Sequence, residues 1–451
     1  MLLKCIRESL EGASRRRAIS LDLQMSEINS NHQQFSPRLA EVFFTCRYYT
    51  APSIHPAYYN QNQDNSIGHQ LKVVMGCLLL GRSCINSPLY NLPQKTHLRL
   101  LSYYMDRCTE QIDQLMQLDS PPLTLSLSLL TLAVTHVNLM DARKGWLLMA
   151  TARAYLHNHM DDYFDAIMDK TGPTNPELET YKLMLLLCGK ADVNISYLVQ
   201  NGPAQSIFSF DEMLLVPKPV IGDNPLHHAI VKQSFLFDLM ARRSNSRIDS
   251  SIQCSNSIRT AKWKAITQTN SDFTAWYIGL PSELKIGDKP FDIVNMEIPE
   301  DLDTSIACLQ LTYYSEWVWV YGNVYNPDTS SNPSKDEATF LESTHMIFLA
   351  SLSMVKVSEF LHKVEMCKIE YHRLLFACEP LLYLAKSTDS HIAYESEKAL
   401  KKAVSILKSL LQHNLFSPIC KVHQENGNSI AFGQRLIGRL NALFSEYNMQ
   451  F

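Results

Sequence analysis

Over most of its length the chain spaces its apolar residues three and four apart, which puts them on one face of an α-helix. In Ser36–Pro52 they fall at Leu39, Val42, Phe43, Cys46 and Tyr49, and helical spacing returns from His97 to Leu118. Leu123, Leu125, Leu127 and Leu129 alternate as a strand would, yet Leu125, Leu129 and Leu132 also share a helix face; helical neighbours on both sides favour helix. The run GWLLMATARAYLHNHM from Gly145 predicts another helix. Asn175 then offers an N-cap, Pro176 suits the first helical position, and Glu177 and Glu179 sit where the helix dipole favours negative charge. That helix runs through Leu178–Val199 to an exit at Gln200-Asn201-Gly202-Pro203.

Further helices are expected over Leu226–Arg242 and over the aromatic-rich Thr304–Val324. Another is expected from the capping box Ser334–Glu337 to about Glu365, and a last one carries a stripe of Ala399, Ala403, Leu407, Leu410 and Leu411. Ser53–Gln70 and Asn326–Pro333 read as loops, and the polar span Arg243–Asn270 as a mobile connection. The fold class is therefore all-α, a large irregular array of helices.

Order and spacing along this array resemble the middle homology region of fungal binuclear zinc-cluster (Zn2Cys6) transcription factors. Asn175–Pro219 carries most of the resemblance: an acidic helix start, an apolar helix containing Asp192, the exit Gly202-Pro203, an Ile/Phe-Asp stretch, and the closing Pro217 and Pro219. Three flanking pieces fit the same family. They are Ser36–Pro52, the Trp146 helix with Ala150 and Ala152 at its small positions, and Trp276-Tyr-Ile-Gly-Leu280-Pro281. The family's basic run is reduced here to Lys182, and the Gly-Leu-His that should close the Trp146 helix is replaced by Met160-Asp161-Asp162.

The resemblance implies a polar, basic N-terminal segment over 1–34, a regulatory region over 35–300, and a C-terminal helical part of the same body over 301–451. Trp146, Asp192, Gly202, Pro203, Pro217, Trp276 and Pro281 take structural roles in it. It further implies control of RNA polymerase II transcription in the nucleus, through protein partners of the transcription machinery, a homo- or heterodimer, and a small-molecule effector. The effector's pocket is not identified, although Tyr313–Tyr321 is rich enough in aromatic residues to line one.

Composition changes this picture mainly at the DNA. The six-cysteine reader of the family needs paired Cys-x-x-Cys thiolates to bridge its zinc ions, and no Cys-x-x-Cys occurs among the 11 cysteines. Zinc is expected only if such a cluster lies upstream, and DNA contact only through that separate domain; a chain that had lost it would act through heterodimers. With 41 basic against 45 acidic residues and a net charge of −4, the chain itself gives no electrostatic reason to expect nucleic acid or an acidic membrane surface. The run Arg15-Arg16-Arg17 is read as a solvated flank. Scattered cysteines in apolar surroundings suit reduced core thiols. The uncharged run Ser120–Met140 begins with two prolines and carries polar residues throughout, so it reads as a buried helix rather than a membrane span.

Two constellations point elsewhere. His157-Asn-His159-Met-Asp161 has the order of a metallohydrolase motif but follows a helix rather than a strand. Asp161-Asp162-Tyr-Phe-Asp165 resembles the first magnesium motif of isoprenoid synthases, in which carboxylates at i and i+4 hold a metal against a diphosphate. The second acidic motif of those enzymes is missing, so an acidic solvated turn is the plainer reading. No catalytic residue, metal ligand or cofactor of the chain's own is expected, and the chain reads as a regulator rather than an enzyme.

Overall fold

The computed structural model describes residues 38–47, 53–81, 94–118, 122–139, 141–168, 175–199, 215–220, 223–253, 258–322, 337–364, 371–413, 441–442 and 445. Among these residues the fold is all-α, with 14 helices and no strand. They form two compact units, one of residues 1–225 with 411–442 and the other of 226–410 with 443–451. Residue 300 lies inside the second unit.

The first unit holds α1 (Leu39–Val42, continued by a π-turn over Phe43–Arg47), α2 (Pro56–Asn62), α3 (Ser66–Leu80), α4 (Gln94–Leu115), α5 (Leu123–Asn138), α6 (Ala142–Asn158), α7 (Met160–Met168) and α8 (Pro176–Val199). Its centre is the α5–α6 hairpin, on which α8 lies, while α3 packs on α4 and α5. The strand-like alternation in α5 reflects burial on both sides: Leu123, Leu125, Leu127, Leu129 and Leu132 are all interior. So are Thr124, Ser126 and Ser128 between them. Ser128 donates to the Thr124 carbonyl at 2.7 Å and so satisfies its own hydroxyl within the helix. The hairpin closes tightly because α6 offers Gly145 to α5, where a Cβ would stand 2.6 Å from Val137. Asp141 caps α6, accepting from the Lys144 amide at 3.1 Å.

Ser53–Gln70 is helical rather than a loop. His55 and Asn65 serve as N-caps, with side chains that accept from the amides of Ala57 and Gly68. Tyr58 and Tyr59 supply the buried face that a composition rich in Asn and Gln conceals.

The second unit holds α9 (Pro225–Gln253), α10 (Ile258–Gly279), α11 (Thr304–Gly322), α12 (Glu337–Val364), α13 (Tyr371–Leu384) and α14 (Ser390–His413), whose terminal residues Pro225 and Leu411–His413 fall to the first unit. Here too a predicted connection is helix: most of the span Arg243–Asn270 belongs to α9 and α10. Ser244, Ile248, Ala265, Ile266 and Thr269 form its inner face, and Thr269 returns its hydroxyl to the Ala265 carbonyl at 2.9 Å. Small polar residues can line a helix interface, so polarity alone did not mark a linker.

The core of this unit is aromatic. Phe237 of α9, Phe273 and Trp276 of α10, and Tyr313 and Trp317 of α11 stack or meet edge to face, with Phe237–Trp276 centroids 4.5 Å apart and Trp276–Tyr313 5.4 Å. Rings at such separations add about 0.5–1.5 kcal/mol per pair beyond the area they bury.

Candidate functional site

The polar centre of the first unit is built on the start of α8. Asn175 accepts from the Glu177 amide at 2.9 Å, as the capping residue read from sequence should. Two residues on, Glu179 turns inward. It and Lys182, one turn later, are both 1% exposed and lie 2.9 Å apart. The second carboxylate oxygen of Glu179 accepts from the backbone amide of Lys218 at 2.9 Å. Lys218 follows the buried Pro217 in the described strap 215–220. A buried pair of opposite charges holds only when the remaining lone pairs are bonded, and the Lys218 amide supplies that bond.

Thr180, beside Glu179, donates to the Pro176 carbonyl at 2.9 Å and accepts from the His55 amide at 3.1 Å. The His55 ring is used at both nitrogens: Nδ1 accepts from the Ala57 amide at 3.2 Å and Nε2 lies 3.4 Å from Asp223. Asp223 also accepts from the Val220 amide at 2.7 Å. Burial holds the His55 imidazole below its ordinary 6.5, against the opposing pull of Asp223 and Glu179. On the other side of α8, Tyr163 donates to Glu177 at 2.7 Å and stacks on Tyr181 at 4.5 Å, while Tyr181 donates to the Leu156 carbonyl at 2.7 Å. Burial pushes the Tyr58 hydroxyl up to about 12, with the Glu177 carboxylate adding to the effect. α2, α8 and the strap therefore meet at one buried knot of charges, with each charge set against an opposite charge or a dipole. Its chemistry is that of a fastening.

The residues singled out in the sequence distribute unevenly around this knot. Pro217 belongs to it. Trp146 is half-buried near the start of α6, Asp192 lies in the second half of α8 with a side chain outside the described residues, and Gly202 and Pro203 lie outside them altogether. Trp276 and Pro281 belong to the second unit, where Trp276 joins the aromatic core and Pro281 accepts the Leu284 amide at 3.0 Å to open a single 3₁₀ turn. Tyr313, Tyr314, Trp317 and Tyr321 are at most 1% exposed and pack on one another and their neighbours as core.

Asp161, Asp162 and Asp165 stand exposed on α7, and Asp162 takes a hydrogen bond with His159 at 3.1 Å. Among the described residues no three His, Cys, Asp or Glu side chains gather as metal ligands. Cys77, Cys108, Cys188 and Cys378 are buried thiols in no disulfide, and burial pushes the Cys77 thiol up to about 12.

Three members of the knot, His55, Thr180 and Asp223, carried no signal in the sequence reading. A histidine before Pro56 is legible as a cap, but its partnership with Asp223 is a tertiary fact. Lys182 was legible as the one cation between Leu178 and Cys188, the remnant of the family's basic run, and its pairing with Glu179 was not read. No family model, curated protein or solved structure matches the chain.

Proposed function

We propose that the chain is the regulatory body of a fungal zinc-cluster transcription factor, controlling RNA polymerase II transcription in the nucleus. DNA is read by a separate six-cysteine zinc domain or by a heterodimer partner. The observation that carries this reading is the bond between Glu179 and the Lys218 amide. The resemblance to that family rests on an acidic helix start and a closing proline segment more than thirty positions later; in the fold those two ends are fastened to each other through a fully buried carboxylate and the remaining basic residue, Lys182. A stretch whose ends close on one another is a unit of structure, which supports treating the order of its parts as meaningful.

An all-α body with a paired interior charge at Glu179 and Lys182 and a near-balanced overall charge suits binding of protein partners and of a small effector rather than of nucleic acid. The magnesium-dependent isoprenoid reading gains no support, because Asp161 and Asp165 sit on the open face of the nine-residue α7. To test the proposal, the full chain is fused to a heterologous DNA-binding domain in yeast and transcription of a reporter carrying that domain's site is measured. The fusion is expected to raise or lower transcription at least severalfold relative to the DNA-binding domain alone. An unchanged reporter, with the fusion expressed and nuclear, overturns the reading.

A further inference from the structure

We propose that the His55 imidazole is a proton-operated latch on the first turn of α2: neutral, it caps that turn through Nδ1 while Nε2 faces Asp223; protonated, it keeps Asp223 and releases the turn. The inference stands apart from the transcriptional reading and rests on how the ring is bonded. Nδ1 accepts the Ala57 amide, so its lone pair is committed and the ring's single proton lies on Nε2, directed at Asp223. One imidazole thus caps a helix with one nitrogen and holds a strap with the other.

A second proton can enter only at Nδ1. Two donors, Nδ1–H and the Ala57 N–H, then face each other, the cap of α2 is lost, and the first turn has to move away. The charged groups around the ring set where this occurs. Asp223 faces it from the strap and Glu179 from α8, the latter already engaged by Lys182, and both favour the proton. α3, which carries His69 and Lys72, meets α2 at its other end, where a Cβ on Gly68 would stand 2.2 Å from the Asn62 carbonyl oxygen. Tyr58 and Tyr59 on α2 itself are held above their ordinary values and stay neutral. Burial opposes the proton and prevails, so the latch opens below the ordinary histidine range.

The experiment is amide exchange of the full chain from about pH 7.5 to about pH 5, corrected for the intrinsic rate and followed in the peptide spanning Ala57–Asn62. Protection is expected to fall about fivefold on acidification, the loss of one ordinary N-cap. In His55→Asn, where the side chain caps without titrating, it is expected to stay level. Equal loss in the wild type and in His55→Asn overturns the latch, as does constant protection in the wild type. Because His55→Asn could unfold the knot, a second measurement follows the His55 Cε1 resonance of the wild type and of Asp223→Asn. The wild-type midpoint is expected below 6.5, and the Asp223→Asn midpoint lower still, since the added proton loses its facing carboxylate. A midpoint unmoved by Asp223→Asn shows that the two side chains do not share the proton and overturns the proposal.

Discussion

At the scale of single residues, the interior of the first unit is held by a charge that is costly to bury. Lys182 is 1% exposed, and its ammonium is matched by one carboxylate, Glu179, whose other oxygen fastens the Lys218 amide. Exposed ion pairs elsewhere in the chain, such as Lys401 with Glu397 at 2.6 Å, contribute little because water screens them and both side chains lose freedom. The buried pair behaves differently, since removing one partner leaves the other uncompensated in the interior. Lys182→Met is therefore expected to lower stability by about 3–5 kcal/mol in urea unfolding. Lys401→Met is expected to change it by under about 1 kcal/mol. Equal, small effects of the two would show that water reaches Glu179 and that the knot is not a closed one.

At the scale of elements, the connection from α10 to α11 shows how an irregular stretch becomes fixed. Some two dozen residues without a long helix would ordinarily be mobile, yet side chains of the flanking helices and of α12 bind their backbone at intervals. Tyr277 donates to the Ile286 carbonyl at 2.7 Å, Gln310 to that of Leu284 at 2.9 Å, Tyr314 to that of Pro290 at 2.6 Å, and Lys356 of α12 to that of Val294 at 3.1 Å. The chain reverses at Gly287, whose φ of 88° an L-residue rarely adopts and whose Cβ would fall 2.8 Å from that of Asp292. Gly287→Ala is expected to cost about 1–2 kcal/mol from the backbone alone. Gly279→Ala, in open space at the end of α10, is expected to be neutral or stabilising. Thermal unfolding of the two variants checks both; equal melting points would mean that this connection is not held in the conformation described.

The same comparison of elements separates what the sequence discloses from what it withholds. The N-terminus of α8 was legible because Asn175, Pro176 and Glu177 are local signals, and the end of α10 because a proline forbids continuation past Leu280. Helices at Ser53–Gln70 and across Arg243–Asn270 were not, because their inward faces use Tyr, Ser and Thr, which a polarity pattern assigns to solvent. At the polar knot, Glu179 was visible as an acid of the helix start and Lys182 as the remnant of a basic run, but not as a buried pair. His55 and Asp223 meet only once three separate segments have packed, and spacing carries no information about such a meeting.

At the scale of the whole molecule, the decisive property is what the chain lacks in net charge. Proteins that grip a duplex unaided neutralise several phosphates with Lys and Arg, and their affinity falls steeply as salt rises. Here 41 basic residues are outnumbered by 45 acidic ones, and several described cations are already engaged by carboxylates: Arg107 with Glu110, Arg247 with Asp272, Lys402 with Glu359. If DNA is read by another domain, this chain alone should not retard a duplex in a gel at about 50 mM salt, even at micromolar protein, the range in which non-specific binders do so. Joined to a zinc-cluster domain, it should retard only duplexes carrying that domain's site, with the salt dependence of that domain. Retardation by the isolated chain that weakens steeply with salt would place a phosphate-binding face within the helical body itself, and the division of labour between a separate reader and a regulatory body would have to be abandoned.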